Sequence, residues 1–479
     1  MLARMKSLAT LLLCSPLLTS AHSPAPPASA PDKVSKAIDA FLVDCAAFGW
    51  SGVVEVRKGS KKVFSGAYGF RNDEGEETCT EETLFDLGTL AQTVTAAAVL
   101  RLVGDGSLEL DQPIADYLPA VPEEASGVTA RHLLRQSSGW TGRARIDGKD
   151  GRAEALANLF DGEPERPAGE EFQPWTGNFI ALAALVEARS EKSFEEYVRE
   201  EIFAPAKLSS TRFAEGDSGE AEDESQQALG YEGRADPRAA GDPPGGQYDW
   251  RVRGTGGVLI TASDFADFLE AQEGGKIVKG SVWDESLKRG PGDQGFGWEV
   301  GIDYQASCLR LEREGESSGF RSFASLNLGT KVFSVVLSNR SESPTRFLET
   351  TIRNLVSGEK MPVKQSIHPP ETVAWKAKDL EAVAGSWAAE DGAELELERH
   401  GERSLRATAF RAPLTTASGA GVREPGRGFF APVGKRELVS HAWVAAAQNS
   451  SLVWNGEKAE KAQLILTTPD GKARTLARQ

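Results

Sequence analysis

The stretch that most constrains the fold of this chain spans residues 84–110, LFDLGTLAQTVTAAAVLRLVGDGSLEL. Its alanine-rich apolar run at residues 93–103 predicts a buried helix, because alanine and leucine are strong helix formers. Gly104-Asp105-Gly106 ends that helix, and Gly88 separates it from a short apolar strand at residues 84–87. This order of strand, glycine and helix predicts a site at the helix N-terminus, where the helix dipole stabilises a nucleophile or an anion.

The first turn of the predicted helix carries Thr89 and Gln92, which are three residues apart and therefore share one helix face. The Thr89 hydroxyl is a potential nucleophile, but the Gln92 amide has no titratable nitrogen that could take its proton. The structural alternative is that Thr89 caps the helix and Gln92 is a packed polar residue.

The N-terminal residues predict export. Arg4 and Lys6 precede an apolar run at residues 8–18, and Thr19-Ser20-Ala21 supplies the small residues of a cleavage site. A transmembrane anchor is disfavoured, because the apolar run is short and is interrupted by Pro16.

We therefore predict a signal peptide at residues 1–21, a Pro/Ala/Ser-rich spacer at residues 22–31 and a secreted or periplasmic mature protein with no transmembrane helix. Removal of the signal peptide takes two positive charges with it and changes the net charge from −16 to about −18. A protein with this negative charge is repelled by the phosphates of nucleic acids and of anionic membranes. We therefore exclude nucleic acids and anionic membrane surfaces as partners.

Three cysteines remain in the mature chain, namely Cys45, Cys79 and Cys308. Their odd number and wide spacing give no disulfide framework and no metal site, although one disulfide, for example between Cys45 and Cys79, is possible in an exported protein. The five histidines are scattered and form no ligand cluster. We therefore expect neither a metal nor a cofactor.

The order of elements predicts an α+β fold with a central antiparallel sheet. Strand patterns lie near both ends of the first 358 residues and helical patterns lie between them, so the sheet is assembled from both ends. The predicted strands are 51–57, 61–68, 295–304, 307–312, 320–327 and 331–338, and the longer predicted helices are 32–48 and 178–206. Residues 214–248 are acidic and then rich in glycine and proline, which predicts a long surface loop.

A different pattern follows a predicted linker at residues 359–372. Residues 393–398 alternate strictly between polar and apolar, and residues 462–468 form another strand pattern before the turn Pro469-Asp470-Gly471. We predict a small all-β domain at residues 373–479.

Several segments, in order, resemble the serine β-lactamase and penicillin-binding-protein-like family, especially its class C, esterase and D-peptidase branch. They are LFDLGTLAQTVTAAAVLRLVGDGSLELDQPIADYLP, VTARHLLRQSSGWTG, SFEEYVREEIFAPAKLSSTRF, GTGGVLITASDFADFLE, GFGWEVG and SGFRSFASLNLGTKVFSVVLSNR. The resemblance covers residues 32–358 and implies a central antiparallel sheet flanked by helices, with a helical lobe beside it and the active site between the two. The domain after residue 372 is similar to the small barrel-like domain often appended to such proteins.

The family's first motif, S-x-x-K, corresponds to Thr89 through Gln92. In the family the serine attacks a carbonyl carbon and the lysine accepts the serine proton. The resemblance therefore places Thr89 at the nucleophile position and Gln92 at the base position.

The second motif, Y-x-N, corresponds in a gapless alignment to Pro174, Trp175 and Thr176. A shift by one residue instead places Trp175 on the tyrosine and Gly177 on the asparagine. Neither alignment supplies a phenol, and an indole cannot relay a proton because it is only a donor. Asn178 lies close enough in sequence to be a candidate binding residue.

The third motif, a cation followed by any residue and glycine, corresponds to Arg313-Glu314-Gly315. Arg313 could bind a ligand carboxylate in a bidentate manner. The alternative is a local ion-pair cluster, because Glu312, Glu314 and Glu316 surround Arg313.

The string Gly315-Glu316-Ser317-Ser318-Gly319 matches the G-x-S-x-G motif of α/β-hydrolases, which requires a turn from a strand into a helix. Here the string leads into the predicted strand at residues 320–327, so we predict an ordinary turn.

All three family motifs have lost the residue that handles a proton. We therefore predict an exported, catalytically impaired or inactive homologue of serine hydrolases that binds a carboxylate-bearing peptide or a cell-wall-like ligand. One alternative is an active but atypical esterase, β-lactamase or D-peptidase that uses Thr89 as its nucleophile. Another is a non-catalytic scaffold that presents the C-terminal β domain. The sequence does not define an oligomeric state.

Overall fold

The computed structural model describes residues 33–73, 76–142, 146, 151–214, 226–232, 236–239 and 248–358, and, towards the C-terminus, 372–390, 394–402, 404–411, 429–432, 437–440, 451–454, 463–467 and 473–479. The predicted signal peptide and spacer lie outside the described residues, as does most of the predicted linker. None of the helices in this described part combines the length and the apolar character needed to cross a membrane.

The helices begin close to the N-terminus of the described chain and are concentrated in its first 358 residues. They are α1 (Lys33–Ala47), α2 (Gln92–Asp105), α3 (Ala130–Leu134), α4 (Arg152–Leu159), α5 (Thr176–Ser190), α6 (Phe194–Val198), α7 (Ala204–Ala206), α8 (Ala262–Glu273), α9 (Gly280–Ser286), α10 (Thr345–Ser357) and α11 (Ala377–Val383). A 3₁₀ helix, Gly88–Ala91, leads directly into α2.

The strands fall into a larger sheet, three small ribbons and a barrel. They are β1 (Gly52–Lys58), β2 (Lys61–Tyr68), β3 (Phe70–Asn72), β4 (Glu77–Thr78), β5 (Phe85–Asp86), β6 (Arg212–Phe213), β7 (Leu229–Glu232), β8 (Asp236–Ala239), β9 (Val258–Ile260), β10 (Glu299–Asp303), β11 (Cys308–Ser317), β12 (Phe320–Asn327), β13 (Val332–Ser338), β14 (Gly385–Ala389), β15 (Glu394–His400), β16 (Ser404–Arg411), β17 (Phe429–Pro432), β18 (Glu437–Ser440), β19 (Ser451–Trp454), β20 (Gln463–Thr467) and β21 (Ala473–Arg478).

The larger sheet is assembled from both ends of the first 358 residues, as predicted. Its order is β10-β11-β12-β13-β1-β2, and every neighbouring pair is antiparallel. Strand β1 joins β13 with Gly52 opposite Ser338. The N-terminal hairpin therefore completes a sheet whose other four strands come from residues 299–338, and the predicted α+β fold is confirmed.

Helices cover both faces of this sheet, because successive strand residues point to opposite sides. Val54 and Val336 pack on one face with Ile38 of α1 and Leu348 of α10. Val335 belongs to the larger core on the opposite face, which includes the buried residues of α2, α5 and α8. The helical lobe is thus continuous with the core on that second face.

Helix α2 is the buried axis of this larger core. All residues from Gln92 to Leu100 are buried, and the helix packs against α5. It ends at Gly106, whose φ of 82° is left-handed and is readily adopted only by glycine. The helix predicted from the alanine-rich run is therefore confirmed.

The C-terminal strands β14–β21 form a closed barrel, which confirms the predicted all-β module. Trp387, Leu405 and Leu476 are buried in its core, against α11. The ring of His400 packs edge-on against Phe70, with 4.8 Å between the ring centroids. The barrel therefore contacts the first domain through the short ribbon β3–β4.

The predicted long loop at residues 214–248 is only partly correct, because its described residues include the hairpin of β7 and β8. The backbone N–H of Tyr231 donates to the carbonyls of Gly319 and Asn339, at 3.2 and 3.0 Å. Gly230 lies against the Phe320 ring. Contacts with distant strands, rather than local hydrophobic alternation, hold this hairpin in place.

The two cysteines that could have formed a disulfide, Cys45 and Cys79, are both buried free thiols.

The contribution of α1 to the core is testable with a pair of alanine substitutions. Ile38→Ala should lower the free energy of unfolding by about 2–5 kcal/mol, because Ile38 is fully buried and its loss leaves a cavity. Lys36→Ala, on the exposed side of the same helix, should change it by less than about 0.5 kcal/mol. Urea denaturation of the full chain measures both. Equal effects of the two substitutions would contradict the packing of α1 against the sheet.

Candidate active site

The candidate site forms where the head of α2 meets the end of β11. Strand β5 leads through Leu87 and Gly88 into the 3₁₀ helix. Gly88 has a φ of 55°, and a β-carbon there would come within 2.8 Å of the Glu316 backbone nitrogen. Only glycine readily adopts this left-handed backbone conformation and also leaves room for the backbone of Glu316.

Gly315, on strand β11, permits the same close approach of the two chain segments. A β-carbon on Gly315 would collide with the Leu87 carbonyl oxygen and come within 2.6 Å of the Leu90 backbone nitrogen. Ser322 of the neighbouring strand donates its hydroxyl to the Leu87 carbonyl at 2.8 Å. Strands β11 and β12 are therefore held against the backbone that precedes α2.

Thr89 occupies the surface of this junction and is partly exposed. Its Oγ1 accepts a hydrogen bond from the backbone N–H of Glu316 at 3.3 Å. The predicted helix cap at Thr89 is wrong, because Leu87 and Ala91 hold the N-cap positions of the 3₁₀ helix and of α2. Thr89 lies within the 3₁₀ turn that precedes α2, and its hydroxyl faces the end of β11.

The buried carboxylate of Asp86 stabilises this junction through hydrogen bonds. It accepts hydrogen bonds from the Gly88 backbone N–H at 2.8 Å and from the Ser317 hydroxyl at 3.0 Å. Burial raises the pKa of the Asp86 carboxyl, although these hydrogen bonds act in the opposite direction. Asp86 thus ties β5 to the end of β11.

Gln92 lies beneath Thr89 and is 2% exposed. Its Nε2 donates to the Thr255 hydroxyl at 2.8 Å, and its Oε1 accepts from Gln136 Nε2 at 3.4 Å and from the Arg313 guanidinium. The amide is thus used as both donor and acceptor, and no atom of it can accept a proton at neutral pH. Position 92 therefore carries a neutral hydrogen-bonding group.

Arg313 points towards this amide and not towards the glutamates beside it in sequence. Side chains alternate along a strand, so Glu312, Glu314 and Glu316 lie on the other face of β11. Their ion-pair partners there are Arg310, Arg321 and Arg346. Within the described residues, no carboxylate lies within ion-pair distance of Arg313, so the alternative ion-pair cluster does not include it.

Removal from water lowers the pKa of the Arg313 guanidinium to about 10, with the carboxylate of Glu299 acting in the opposite direction. At neutral pH Arg313 is therefore still protonated. The site therefore holds a half-buried cation that forms no ion pair with a described carboxylate.

Trp175 and Asn178 lie at the start of α5. The Trp175 backbone N–H donates to Gln136 Oε1 at 2.8 Å, while its indole packs edge-on against Phe160 and over Gly177. Neither the Trp175 indole N–H nor the Asn178 side-chain amide, which is fully buried, has a hydrogen-bond partner in the described structure.

The structure therefore unites Thr89, Gln92, Arg313 and Gly315 at one junction. It links Trp175 to them only through its backbone and Gln136, and it gives Asn178 no hydrogen bond to any of them.

Sequence patterns missed four residues of the site, namely Asp86, Gln136, Thr255 and Ser317. Only Ser317 carried a signal, since it is the serine of the G-x-S-x-G string. That string is a turn as predicted, because β11 ends at Ser317 and β12 begins at Phe320. In the described part of the chain, no group of three His, Cys, Asp or Glu side chains is arranged to hold a metal.

The model of the β-lactamase family matches residues 46–358, which is well over half of the chain and includes the whole junction. The chain belongs to the β-lactamase family.

Relatives of this β-lactamase family member are distant. A Bacillus subtilis (strain 168) protein named as a penicillin-binding protein, PbpX, is 21% identical over 61% of this chain and 71% of its own length. Penicillin-binding protein 4* of the same organism is 24% identical over 34% of this chain and 38% of its own. Protein flp of Staphylococcus aureus (strain MRSA252) is 22% identical over 36% of each chain. The chain thus spans little more than a third of the length of the last two relatives.

Solved structures agree on the fold. The octameric penicillin-binding protein homologue from Pyrococcus abyssi superposes with a TM-score of 0.60 and 18% identity, over 92% of this chain and 99% of that one. The penicillin-binding protein from Bacillus halodurans gives a TM-score of 0.58 and 22% identity, over 66% of this chain and 98% of that one. At such identities the likeness establishes the fold alone.

The close approach at Gly315 can be tested against a second strand glycine. Gly315→Ala should destabilise the protein by about 1–3 kcal/mol, because the new β-carbon meets backbone atoms that cannot rotate away. Gly301→Ala on β10 should be neutral or slightly stabilising, because its β-carbon would lie 3.7 Å from the nearest atom, the Arg310 carbonyl oxygen. Thermal and urea denaturation measure both variants. A Gly315→Ala protein as stable as Gly301→Ala would contradict the described junction.

Proposed function

We propose that this β-lactamase family protein is exported and uses the junction at Thr89 and Arg313 to bind a carboxylate-bearing peptide or a cell-wall-like ligand without turnover. The observation that carries the proposal is the environment of Gln92. An amide occupies the base position of the family motif, and it is already bonded to Arg313, Thr255 and Gln136.

Turnover by the family mechanism requires a group that removes the proton from the nucleophile. In the described structure, the Thr89 hydroxyl accepts a hydrogen bond from the backbone N–H of Glu316, which can only donate. Arg313 is also only a donor, because its guanidinium stays protonated at neutral pH. These two donors therefore favour an anionic oxygen as a ligand, and neither of them can accept the proton of the Thr89 hydroxyl.

Carboxylate binding is supported by the state of Arg313. A guanidinium matches a carboxylate with two parallel hydrogen bonds. Arg313 is half-buried, and a half-buried cation attracts such a ligand more strongly than a fully exposed one, since the effective dielectric constant around it is lower. The positive end of the helix that starts at Gly88 adds to this attraction.

Export is supported by the sequence pattern of residues 1–21, with its two cations, apolar run and small-residue cleavage site. The relatives named as penicillin-binding proteins support a cell-wall-like ligand as the class to test first.

A second candidate function is an atypical hydrolase that uses Thr89. The position of the Glu316 N–H, 3.3 Å from Thr89 Oγ1, favours it, because a backbone N–H beside a nucleophile can donate to the substrate's carbonyl oxygen, on which the oxyanion of acyl transfer forms. Such an enzyme needs a base that is not among the described partners of Thr89, for example a water molecule or a carboxylate from residues 214–248.

The two functions are separated by turnover measurements. The purified protein should hydrolyse a chromogenic cephalosporin and p-nitrophenyl butyrate no faster than its Thr89→Ala variant does, because neither protein has a base at position 92. Mass spectrometry after exposure to a fluorophosphonate or a penicillin should show no adduct on Thr89. Hydrolysis or an adduct that disappears in Thr89→Ala would establish the hydrolase instead.

Binding is tested with N-acetyl-D-alanyl-D-alanine and, as a matched control, the same dipeptide with a C-terminal amide. Calorimetric titration should detect the carboxylate form, with the amide form weaker by about tenfold or more, as loss of a charge-assisted hydrogen bond predicts. Arg313→Gln should abolish this preference. Because the pKa of Arg313 is about 10, the preference should persist to pH 9 and decline as the pH rises past 10.

The same variant distinguishes a binding role from a structural one. Arg313→Gln removes a half-buried charge that forms no described ion pair, so the free energy of unfolding should stay constant or increase. A large loss of stability together with unchanged dipeptide binding would show that Arg313 is a structural residue.

A further inference from the structure

Gln136 has an unusual backbone conformation for a buried residue. It lies two residues after the end of α3 and is 4% exposed. Its φ of 52° is left-handed, a conformation that residues other than glycine rarely adopt. The other six described non-glycine residues with a positive φ are all exposed. Strain of this kind persists only where the surrounding structure fixes the residue, and it is most common at functional sites.

Hydrogen bonds hold Gln136 in this conformation. Its backbone N–H donates to the Leu133 carbonyl at 3.0 Å, and its carbonyl accepts from the Gln173 N–H at 2.8 Å. The side chain connects two other elements, because Oε1 accepts from the backbone N–H of Trp175 at 2.8 Å and Nε2 donates to Gln92 Oε1 at 3.4 Å. Gln136 therefore links the start of α5 to the first residue of α2.

Two groups that can only donate determine how both amides are oriented. The backbone N–H of Trp175 requires the oxygen of Gln136, so the Gln136 nitrogen faces Gln92. Gln92 must then present its oxygen, which is also what the Arg313 guanidinium requires. The nitrogen of Gln92 is left for the Thr255 hydroxyl. A reversal of the Gln92 amide would break its hydrogen bonds to both Gln136 and Arg313.

Gln136 and Arg313 are also electrostatic neighbours, because both donate to the same atom, Gln92 Oε1. A carboxylate at position 136 would therefore lie close enough to the guanidinium to act as its counter-charge. The amide of Gln136 has no net charge, so it contacts Gln92 without neutralising Arg313.

We propose that Gln136 is a positioning residue for the carboxylate site. It keeps the oxygen of Gln92 turned towards Arg313, and its neutrality leaves the positive charge of Arg313 available to a ligand. This role of Gln136 rests on the proposed function, because it concerns the ligand carboxylate that Arg313 binds. If Gln136 served the fold alone, a charge at position 136 would not change which form of a ligand is preferred.

Two substitutions at position 136 separate charge from hydrogen bonding. Gln136→Glu keeps an acceptor for the Trp175 N–H and adds a negative charge beside Arg313. In calorimetric titrations, the roughly tenfold preference for N-acetyl-D-alanyl-D-alanine over its C-terminal amide should therefore disappear. Gln136→Met has a side chain of similar length without polar groups. It should weaken binding of the carboxylate form severalfold but keep the preference, because Arg313 keeps its charge.

The matched control is Gln305→Glu, which makes the same change of charge at an exposed position in the turn between β10 and β11. This variant should bind both forms of the dipeptide as the unaltered protein does. A loss of preference in Gln305→Glu would attribute the effect to the net charge of the protein and contradict the role of Gln136.

A second measurement requires no ligand. Gln136→Glu should lower the melting temperature of the full chain only slightly, because Arg313 neutralises the new carboxylate. In the Arg313→Gln background the same substitution buries an unpaired carboxylate, so the melting temperature should fall much further. Equal decreases in the two backgrounds would show that positions 136 and 313 are not coupled, and would overturn the proposal.

The binding results can also overturn it. A carboxylate preference that survives Gln136→Glu would contradict the role of Gln136 and leave the proposed function standing. A preference that is missing in the unaltered protein would refute the proposed function and the role of Gln136 together. Gln136→Met keeps the test decisive if Gln136→Glu does not fold, because loss of the preference in this uncharged variant would show that Gln136 acts only through the fold.

Discussion

The close approach of two backbones, at Gly88 and at Gly315, determines the geometry of the whole candidate site. Each glycine lies where a β-carbon would meet backbone atoms of the other segment. Thr89 follows the first glycine by one residue, and Arg313 precedes the second by two, on the same face of β11. The positions of the hydroxyl and of the guanidinium are therefore consequences of the junction and not of each other. The junction therefore depends on the two glycines and not on the side chains at positions 89, 92 and 313.

The replacements at the junction are consistent with one another. An amide accepts through oxygen and donates through nitrogen, so Gln92 can bind both the Arg313 guanidinium and the Thr255 hydroxyl. A lysine at position 92 would place a second cation beside Arg313, and two like charges about 4 Å apart repel by about 4 kcal/mol near a protein surface. Gln92 avoids that repulsion. A neutral side chain at position 92 and a half-buried cation at position 313 are thus electrostatically compatible.

The sequence predicts the parts of the fold that depend on local pattern. The alanine-rich run identifies α2, and alternating segments near residues 52 and 338 identify the sheet that they share. The predicted cap at Thr89 is wrong because a 3₁₀ turn before α2 has no periodic signal that distinguishes it from the helix itself. The hairpin of β7 and β8 was missed because its partners are distant strands.

The partners of the site residues were less predictable still. Gln136 and Thr255 are 44 and 163 residues from Gln92 in sequence, and each lies in a connecting segment between helices or strands. Nothing in their local patterns indicates that they meet.

The net charge of this chain and the charges near its candidate site favour different kinds of binding partner. A net charge of −16 governs encounters with large polyanions, because many charges act together over a long distance. At physiological ionic strength the Debye length is about 8 Å, so a bound small ligand responds mainly to the groups nearest to it. At the junction the nearest charged group is the half-buried guanidinium of Arg313, so a ligand carboxylate is attracted there although the protein as a whole is acidic.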